Sequence, residues 1–532
     1  MLDMRRGTLL TECRHLGRLP LGVRLRTLRL ASLSERAVGL QLIELEIEEE
    51  EVEVTLEASF EGLNLGLVSE RLEQDLGVWR TKRSDKGLAM AAAASLQIDG
   101  RDFPPTELGQ FKWSWKWNSR RGQVVSFQRY VAVVRSDAQG LDPRREAREK
   151  LDVARRLGWR GVLAEHEAAW ASRWQCSDVE VDGDIDAQQA LRFAIYHLNS
   201  AANPGDERVS IGARALTGDD YHGHVFWDTE IFLLPFYILT WPEAARALLM
   251  YRFRTLDGAR GKAAHMGWRG ALYAWESADS GAESTPDEVI GPDRQVIDIL
   301  SGKQEQHISA DVAYAFWQYW QATGDEEFLR DAGAEIILET SRFWSSRAQP
   351  EADGLRHIRG VIGPDEYHEH IDDNAFTNVM ARWNIRRALD VAALLRERWP
   401  ECWARLARRL GLDDAELTQW RSAAETIATG LDLRTGLFEQ FAGYFGLEEI
   451  DLEDYAGRSV PMDVVLGRPR TQRSQVIKQA DVVALLGLLP EEFVGECAAA
   501  NFRYYEPRCA RVQAIMDHVN PAQMISSKES MN

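Results

Sequence analysis

Residues 141–159 read LDPRREAREKLDVARRLGW, and here the pattern of the chain changes. Charged and apolar residues begin to recur at helical spacing, which predicts a helical linker over 139–184. Upstream, the alternation is that of strands. In 44–60, ELEIEEEEVEVTLEASF, Leu45 and Ile47 and then Val52, Val54 and Leu56 alternate with charges, the period of a sheet with one wet face. FKWSWKWNS at 111–119 sets Phe111, Trp113, Trp115 and Trp117 on one side of a strand, and VVSFQRYVAVVRS at 124–136 supplies another. Short strands broken by Gly and Pro turns predict a β-sandwich over 1–138. Beyond the linker nearly everything reads as helix and loop, from AQQALRFAIYHLNSAAN at 187–203 to KQADVVALLGLL at 478–489. In HISADVAYAFWQYWQATGD, 307–325, Ile308, Val312, Ala315, Phe316 and Tyr319 form one stripe. Long loops rich in Gly, Asp, Trp and Glu separate the helices, and loops on a rigid scaffold are where sites are built.

A chain of 532 residues exceeds one ordinary core, and 45% hydrophobic residues with 9% aromatics is a globular composition. A net charge of −20 argues against a nucleic-acid partner, because phosphate backbones call for clustered Lys and Arg. A small anion stays admissible, since a local cluster can outweigh the global field. The five Cys are scattered and lack C-x-x-C spacing, which speaks against a disulfide framework or structural zinc and fits a reducing cytoplasm. MLDMRRGTLLTECRH at 1–15 has no long apolar stretch, and the most apolar run, IFLLPFYILTW at 231–241, is about half a membrane span. The expectation is a soluble, cytoplasmic protein without a membrane partner. The 18 Trp pack in cores, but Trp also stacks on the flat faces of sugar rings.

Four stretches carry candidate chemistry. GHVFWDTEIFLLPF at 223–236 puts Trp227 and Asp228 just before an apolar helix: a platform and an acceptor for a sugar, or a core ring and a helix cap. RGALYAWESADSGAESTP at 269–286 places Trp275, Glu276 and Asp279 in a loop of small residues, which suits a specificity loop as well as solvated loop acids. VIGPDEYHEHIDDN at 361–374 holds seven acids and histidines. Gly363-Pro364 forces a turn there, and no H-E-x-x-H spacing exists, so no metal is expected. A general acid needs a carboxyl near other anions or apolar walls, and Glu366 has both in Asp365, Glu369 and Val361-Ile362. SQVIKQADVVALL at 474–486 sets Lys478 and Gln479 before an apolar helix, where a cation opposes the helix dipole and where the pair could fork-bind vicinal hydroxyls.

Taken in order with LLMYRFRTLDGAR (248–260), DDNAFTNVMARWN (372–384) and FRYYEPR (502–508), these stretches resemble glycoside hydrolase family 65, the inverting disaccharide phosphorylases acting on maltose, trehalose or kojibiose. The likeness runs from about residue 8 to 508. It implies a β-sandwich, a helical linker and an (α/α)6 barrel over 185–508 whose mouth holds the active site. It further implies Glu366 as the proton donor, with Trp227-Asp228 and Lys478-Gln479 binding the sugar at the cleaved bond. GALYAWESADSG looks most like the kojibiose branch, so an α-1,2-linked glucobiose and inorganic phosphate are the expected small-molecule partners, with no other cofactor. A homo-oligomer is an open assembly state.

The chain departs from the family at both ends. Its first residues resemble the interior of the family's sandwich, and after Arg508 the family's His-Gly-Ser-Ser-Leu-Ser type loop, associated with phosphate, is replaced by CARVQAIMDHVNPAQMISSKESMN. The expectation is a shortened chain with an incomplete barrel and a divergent tail over 509–532. Three readings follow: an α-glucobiose phosphorylase, an inverting hydrolase with Glu506 as water-activating base, and a chain that only binds sugar.

Overall fold

The computed structural model describes residues 1–16, 22–48, 52–60, 66–82, 84–136, 142–218, 220–290, 294, 296–493 and 495–510. All but the first two residues of the stretch 509–532 lie outside these. The chain forms two compact units, residues 1–200 and 201–532, where the sequence reading began its helical domain at 185.

The first unit is built on strands β1 (Leu2–Asp3), β2 (Thr8–Leu16), β3 (Gly22–Ala31), β4 (Val38–Ile47), β5 (Glu53–Ser59) and β6 (Leu67–Leu72). These are followed by β7 (Leu76–Thr81), β8 (Gly87–Ile98), β9 (Arg101–Phe103), β10 (Glu107–Gly109), β11 (Lys112–Asn118) and β12 (Val124–Ser136). Nine strands form one antiparallel sheet in the order β1-β2-β3-β4-β12-β8-β7-β6, with β9 beside β8, while β10-β11-β5 form a second. The period-2 pattern assigns each side chain its layer. On β8 and β12, Met90, Ala92, Leu96, Val125 and Phe127 meet Trp113, Trp115 and Trp117 of β11 in the core between the sheets. Their neighbours Ala89, Ala91, Tyr130, Ala132 and Val134 point the other way.

That other face is covered by α1 (Pro143–Ser177), whose Ala147, Leu151, Ala154 and Val162 complete the second core. The predicted linker is thus the third layer of this unit. Asp142 caps α1 by accepting from the Arg144 amide, and Pro143 sits in its first turn, where no amide is needed. Near its end Trp170 lies against Gly7, at φ +63°, where a Cβ would stand 1.9 Å from the indole. The stretch 44–60, read as one alternating run, is two strands in two sheets: β4 pairs with β12 and β5 with β11.

Helix α2 (Ile185–Ala201) leads out of the first unit. The second unit is helical: α3 (Leu234–Thr240), α4 (Pro242–Arg254), α5 (Leu256–His265), α6 (Ser301–Gln304), α7 (Ile308–Thr323), α8 (Glu326–Phe328) and α9 (Ala334–Arg347). There follow α10 (Ala375–Arg398), α11 (Pro400–Leu410), α12 (Asp414–Thr426), α13 (Met462–Leu466), α14 (Arg468–Thr471), α15 (Asp481–Leu488) and α16 (Cys497–Tyr505). At the centre α10 lies against α7, α9, α11, α12 and α15. Asn374 caps it through the Thr377 amide, as Asp413 caps α12, while Gly324 and Gly411 end α7 and α11 in the left-handed region. Helix α9 buries charge as well as carbon. Glu335 and Glu339 meet Arg260 at 2.7 and 2.8 Å, and Arg342 bridges Glu339 to Glu416 at 2.8 Å each. Every buried charge in that chain has a partner, the condition under which such burial is tolerated. No described helix is long and apolar enough to cross a membrane.

Candidate active site

The loop 361–374 sorts its seven acids and histidines by depth. Val361 and Ile371 pair across its neck, and Gly363 lies where a Cβ would stand 2.3 Å from the Asp481 carboxylate, so glycine is required there by crowding. Asp365 points inward. Its carboxylate accepts from the Lys478 amide at 2.8 Å and from Gln440 at 3.1 Å, and it pairs with His368 Nδ1 at 2.6 Å. His368 is also buried. Burial opposes its charge, but Asp365 outweighs this and holds the imidazole above its ordinary pKa. Asp373 pairs with His357 at 2.7 Å and Arg359 at 3.0 Å, Asp372 with Arg359 at 3.5 Å, Glu369 with Arg468 at 3.3 Å, and Gln304 approaches His370 Nδ1 at 2.8 Å.

Glu366 faces out, as Asp372 does, and its partner is the Lys478 ammonium at 2.8 Å. Burial works against the charge of Lys478, yet Glu366 and Glu305 together keep its pKa above the ordinary value. A cavity of about 300 Å³ opens here, lined by Glu366, Lys478, Tyr367, Asp463, Arg468 and Gln472 among others. Gln479, half-buried, makes no side-chain hydrogen bond among the described residues. The cavity-side backbone is stitched further: the Ile477 amide donates to Arg508 at 3.1 Å and Ala510 donates back to Ile477 at 2.7 Å. Glu506 sits half-buried in that same turn, Glu506–Arg508.

Trp227 and Asp228 stand at the head of a wide turn, Thr229–Leu233, that runs into α3. Asp228 makes no capping hydrogen bond with its side chain. Burial raises its pKa, and the charges of Glu230 and Glu366 raise it further against the pull of Lys478, which brings it into the field of the acid loop. Trp227 is nearly buried, edge-on to Phe232, His307 and Phe376 at centroid distances of 5.2, 4.8 and 6.0 Å. Trp275 meets the same His307 at 5.6 Å. The two indoles are therefore walls of one aromatic cluster, and for Trp227 this is the core-ring alternative that the sequence left open. Beneath them Arg252, wholly buried, binds Glu230 through two 2.8 Å hydrogen bonds and donates to the Phe226 carbonyl and to Ser277 Oγ. This joins the Trp227 and Trp275 segments to α4.

Sequence reasoning passed over Glu305, His307 and Asp311. Both Glu305 oxygens are buried with no hydrogen bond of ordinary geometry, and the nearby Ser301 hydroxyl works only to favour the charged form. Burial, with the nearby charge of Glu366, pushes the Glu305 carboxyl well above the usual carboxylate range. Burial and Asp365 do the same to Asp481, which accepts from the Asp365 amide at 2.7 Å and from Asn374 at 2.6 Å. His307 Nδ1 pairs with Asp311 at 2.7 Å, while its Nε2 is buried and unpartnered. The signal available was Glu-Gln-His set directly before an apolar helix, polar groups with nowhere to go but inward. Among the described residues no group of His, Cys, Asp and Glu has the arrangement of a metal site.

A sheet-rich domain followed by a helical one, with a carboxylate and an ammonium meeting between helix-connecting loops, is an architecture that suits a carbohydrate-active enzyme. The sequence pattern of the glycosyl hydrolase family 65 central catalytic domain matches residues 192–526, and that of the family's N-terminal domain matches 1–173. The chain belongs to this family. The catalytic-domain match runs past Arg508, where a departure was expected. A kojibiose phosphorylase of Caldanaerobacter subterraneus subsp. tengcongensis is 44% identical over 66% of this chain and 46% of its own, and one of Escherichia coli K12 is 38% identical over 73% and 50%. The chain thus spans about half the length of these curated relatives. An uncharacterised glycosyl hydrolase of Mycobacterium tuberculosis is 34% identical over 96% of this chain and 65% of its own. A solved chain from the human microbiome, assigned as a kojibiose phosphorylase, superposes with a TM-score of 0.83 at 24% identity, covering 96% of this chain and 67% of its own. That likeness bears on the fold.

Proposed function

We propose that this chain performs inverting phosphorolysis of an α-linked glucose disaccharide of the kojibiose type, with Glu366 as proton donor. One observation carries the reading: of the acids and histidines in 361–374, Glu366 and Glu369 line the cavity, and Glu366 is the one whose carboxylate meets the Lys478 ammonium. A glycosidic oxygen leaves only when protonated, and Glu366 supplies that proton. Trp227, Asp228, Lys478 and Gln479 surround the glucosyl unit, and Lys478 exchanges Glu366 for ring hydroxyls as sugar enters, which turns the carboxyl toward the bond to be cut. Trp275 and Glu276 face the second sugar. The oxocarbenium-like centre is attacked from the opposite face by phosphate, itself a nucleophile that needs no base, and the products are β-glucose 1-phosphate and glucose. The kojibiose phosphorylases to which the chain is similar support this substrate class and phosphate as co-substrate.

The test is purified protein with kojibiose, with and without phosphate. Glucose 1-phosphate formed only with phosphate is the expected result. Equal glucose in both tubes would transfer the reading to hydrolysis, with Glu506→Gln the next variant to assay. No product, with kojibiose still raising the melting temperature, would leave sugar binding alone.

A further inference from the structure

The Trp275-Glu276-Ser277 segment is braced on both backbone edges. Val225 and Ser277 exchange amide hydrogen bonds of 2.9 and 3.0 Å on one side. On the other, the Glu283 carboxylate accepts from the Trp275 and Glu276 amides at 3.0 and 3.2 Å and is itself held by Lys262 at 2.5 Å. The backbone is therefore fixed, but neither brace sets the direction of the Glu276 side chain. That is done by one contact: His224 Nδ1 lies 2.8 Å from Glu276 Oε2, both side chains largely buried. A carboxylate only accepts, so the proton of this bond sits on Nδ1. The described contacts leave Oε1 of Glu276 unused.

The turn that delivers His224 is strained. Tyr221, His222 and Gly223 have φ of +60°, +53° and +76°, three left-handed residues in a row, two of them with side chains. Such a run is unfavourable for its non-glycine residues and survives where something else is gained. The chain leaves this run at His224, whose amide donates to the Tyr221 carbonyl at 2.8 Å, and enters the Val225 bridge directly. The strain thus places the imidazole opposite Glu276.

We infer that His224 is a positioning residue for Glu276: it occupies Oε2 and so presents Oε1 to a hydroxyl of the sugar bound against Trp275. This rests on the reading of Glu276 as a sugar ligand given above. The inference predicts that the two side chains act as one unit, with a loss on removing either that does not double when both are removed.

The experiment is calorimetric titration of the full chain with kojibiose. His224→Ala is expected to weaken binding about as much as Glu276→Gln, on the order of tenfold for one charge-assisted hydrogen bond. His224→Asn, whose amide can replace Nδ1–H, is expected to recover most of that loss. The double variant His224→Ala/Glu276→Gln should bind no worse than Glu276→Gln alone. Additive losses, or His224→Ala binding like the parent while Glu276→Gln is weakened, would overturn the inference and leave Glu276 in place. Normal binding by Glu276→Gln would remove the reading of Glu276 itself, and His224 with it. Thermal melts of each variant separate these outcomes from misfolding, because His224→Asn and His224→Ala lose the same ring packing against His222.

Discussion

Asp365 and Glu366 are adjacent carboxylates with opposite surroundings. Asp365 accepts from Lys478, Gln440 and His368 inside the loop, whereas Glu366 meets the side chain of Lys478 at the cavity. Glu366→Gln should keep the shape of the site and lose its proton. The expected result is turnover lower by about 10²–10⁴-fold with kojibiose affinity little changed, read by product assay and calorimetry. Glu305 makes a different demand. Folded, its carboxyl holds its proton to higher pH than in the unfolded chain, so the folded state binds more protons above the ordinary carboxylate range. Its contribution to stability therefore falls as pH rises through that window. Glu305→Gln removes the titration: the variant should melt above the parent near about pH 8 and level with it near about pH 4. A variant that melts lower at both would mean that the carboxylate has a partner it needs. None of this was legible in the sequence, where Glu305 is one acid among 83 Asp and Glu, because burial is a property of the fold.

The elements were legible to different degrees. FKWSWKWNS gave a true strand, because alternation with four large rings admits no helical face, and all four rings do enter one core. The acidic run 44–60 concealed a change of sheet between β4 and β5, since alternation carries no sign of which neighbour a strand pairs with. Helix α1 was read correctly as a helix and incompletely as a linker: its apolar stripe is what a helix needs to cover a sheet, but spacing alone names no partner. In the second unit the element that matters most to the site is α4, through Arg252. This guanidinium and Glu230 are both wholly buried, and each neutralises the other. Glu230→Gln or Arg252→Met leaves one charge uncompensated and should cost about 3–5 kcal/mol, measurable by denaturant titration. The paired replacement by apolar residues of similar volume should recover much of that stability. If the single variants unfold no earlier than the parent, the pair is not what joins the two tryptophan segments.

At the scale of the molecule, each unit has an interior of its own. Calorimetry is expected to resolve two unfolding transitions, and kojibiose at about 100 times its dissociation constant should raise the helical one alone, by the equivalent of about 2.7 kcal/mol. A single transition that moves as a whole would show that the units melt together. The family was legible because its motifs are several and follow one another in order along the chain. Their three-dimensional grouping was not, since Trp227, Trp275 and His307 come from three segments and converge through helix packing.

The two sides of the site are fastened by separate fittings. Asp365 ties the acid loop to the Lys478 segment, while Glu283, Lys262 and His224 hold the Trp275-Glu276 segment. If Trp275 and Glu276 face the second sugar as proposed, a lineage could rewrite the second set, and with it the sugar that is accepted, while inheriting Glu366 unaltered. Divergence in preference within one ancestral scaffold would need only a handful of changes on one wall.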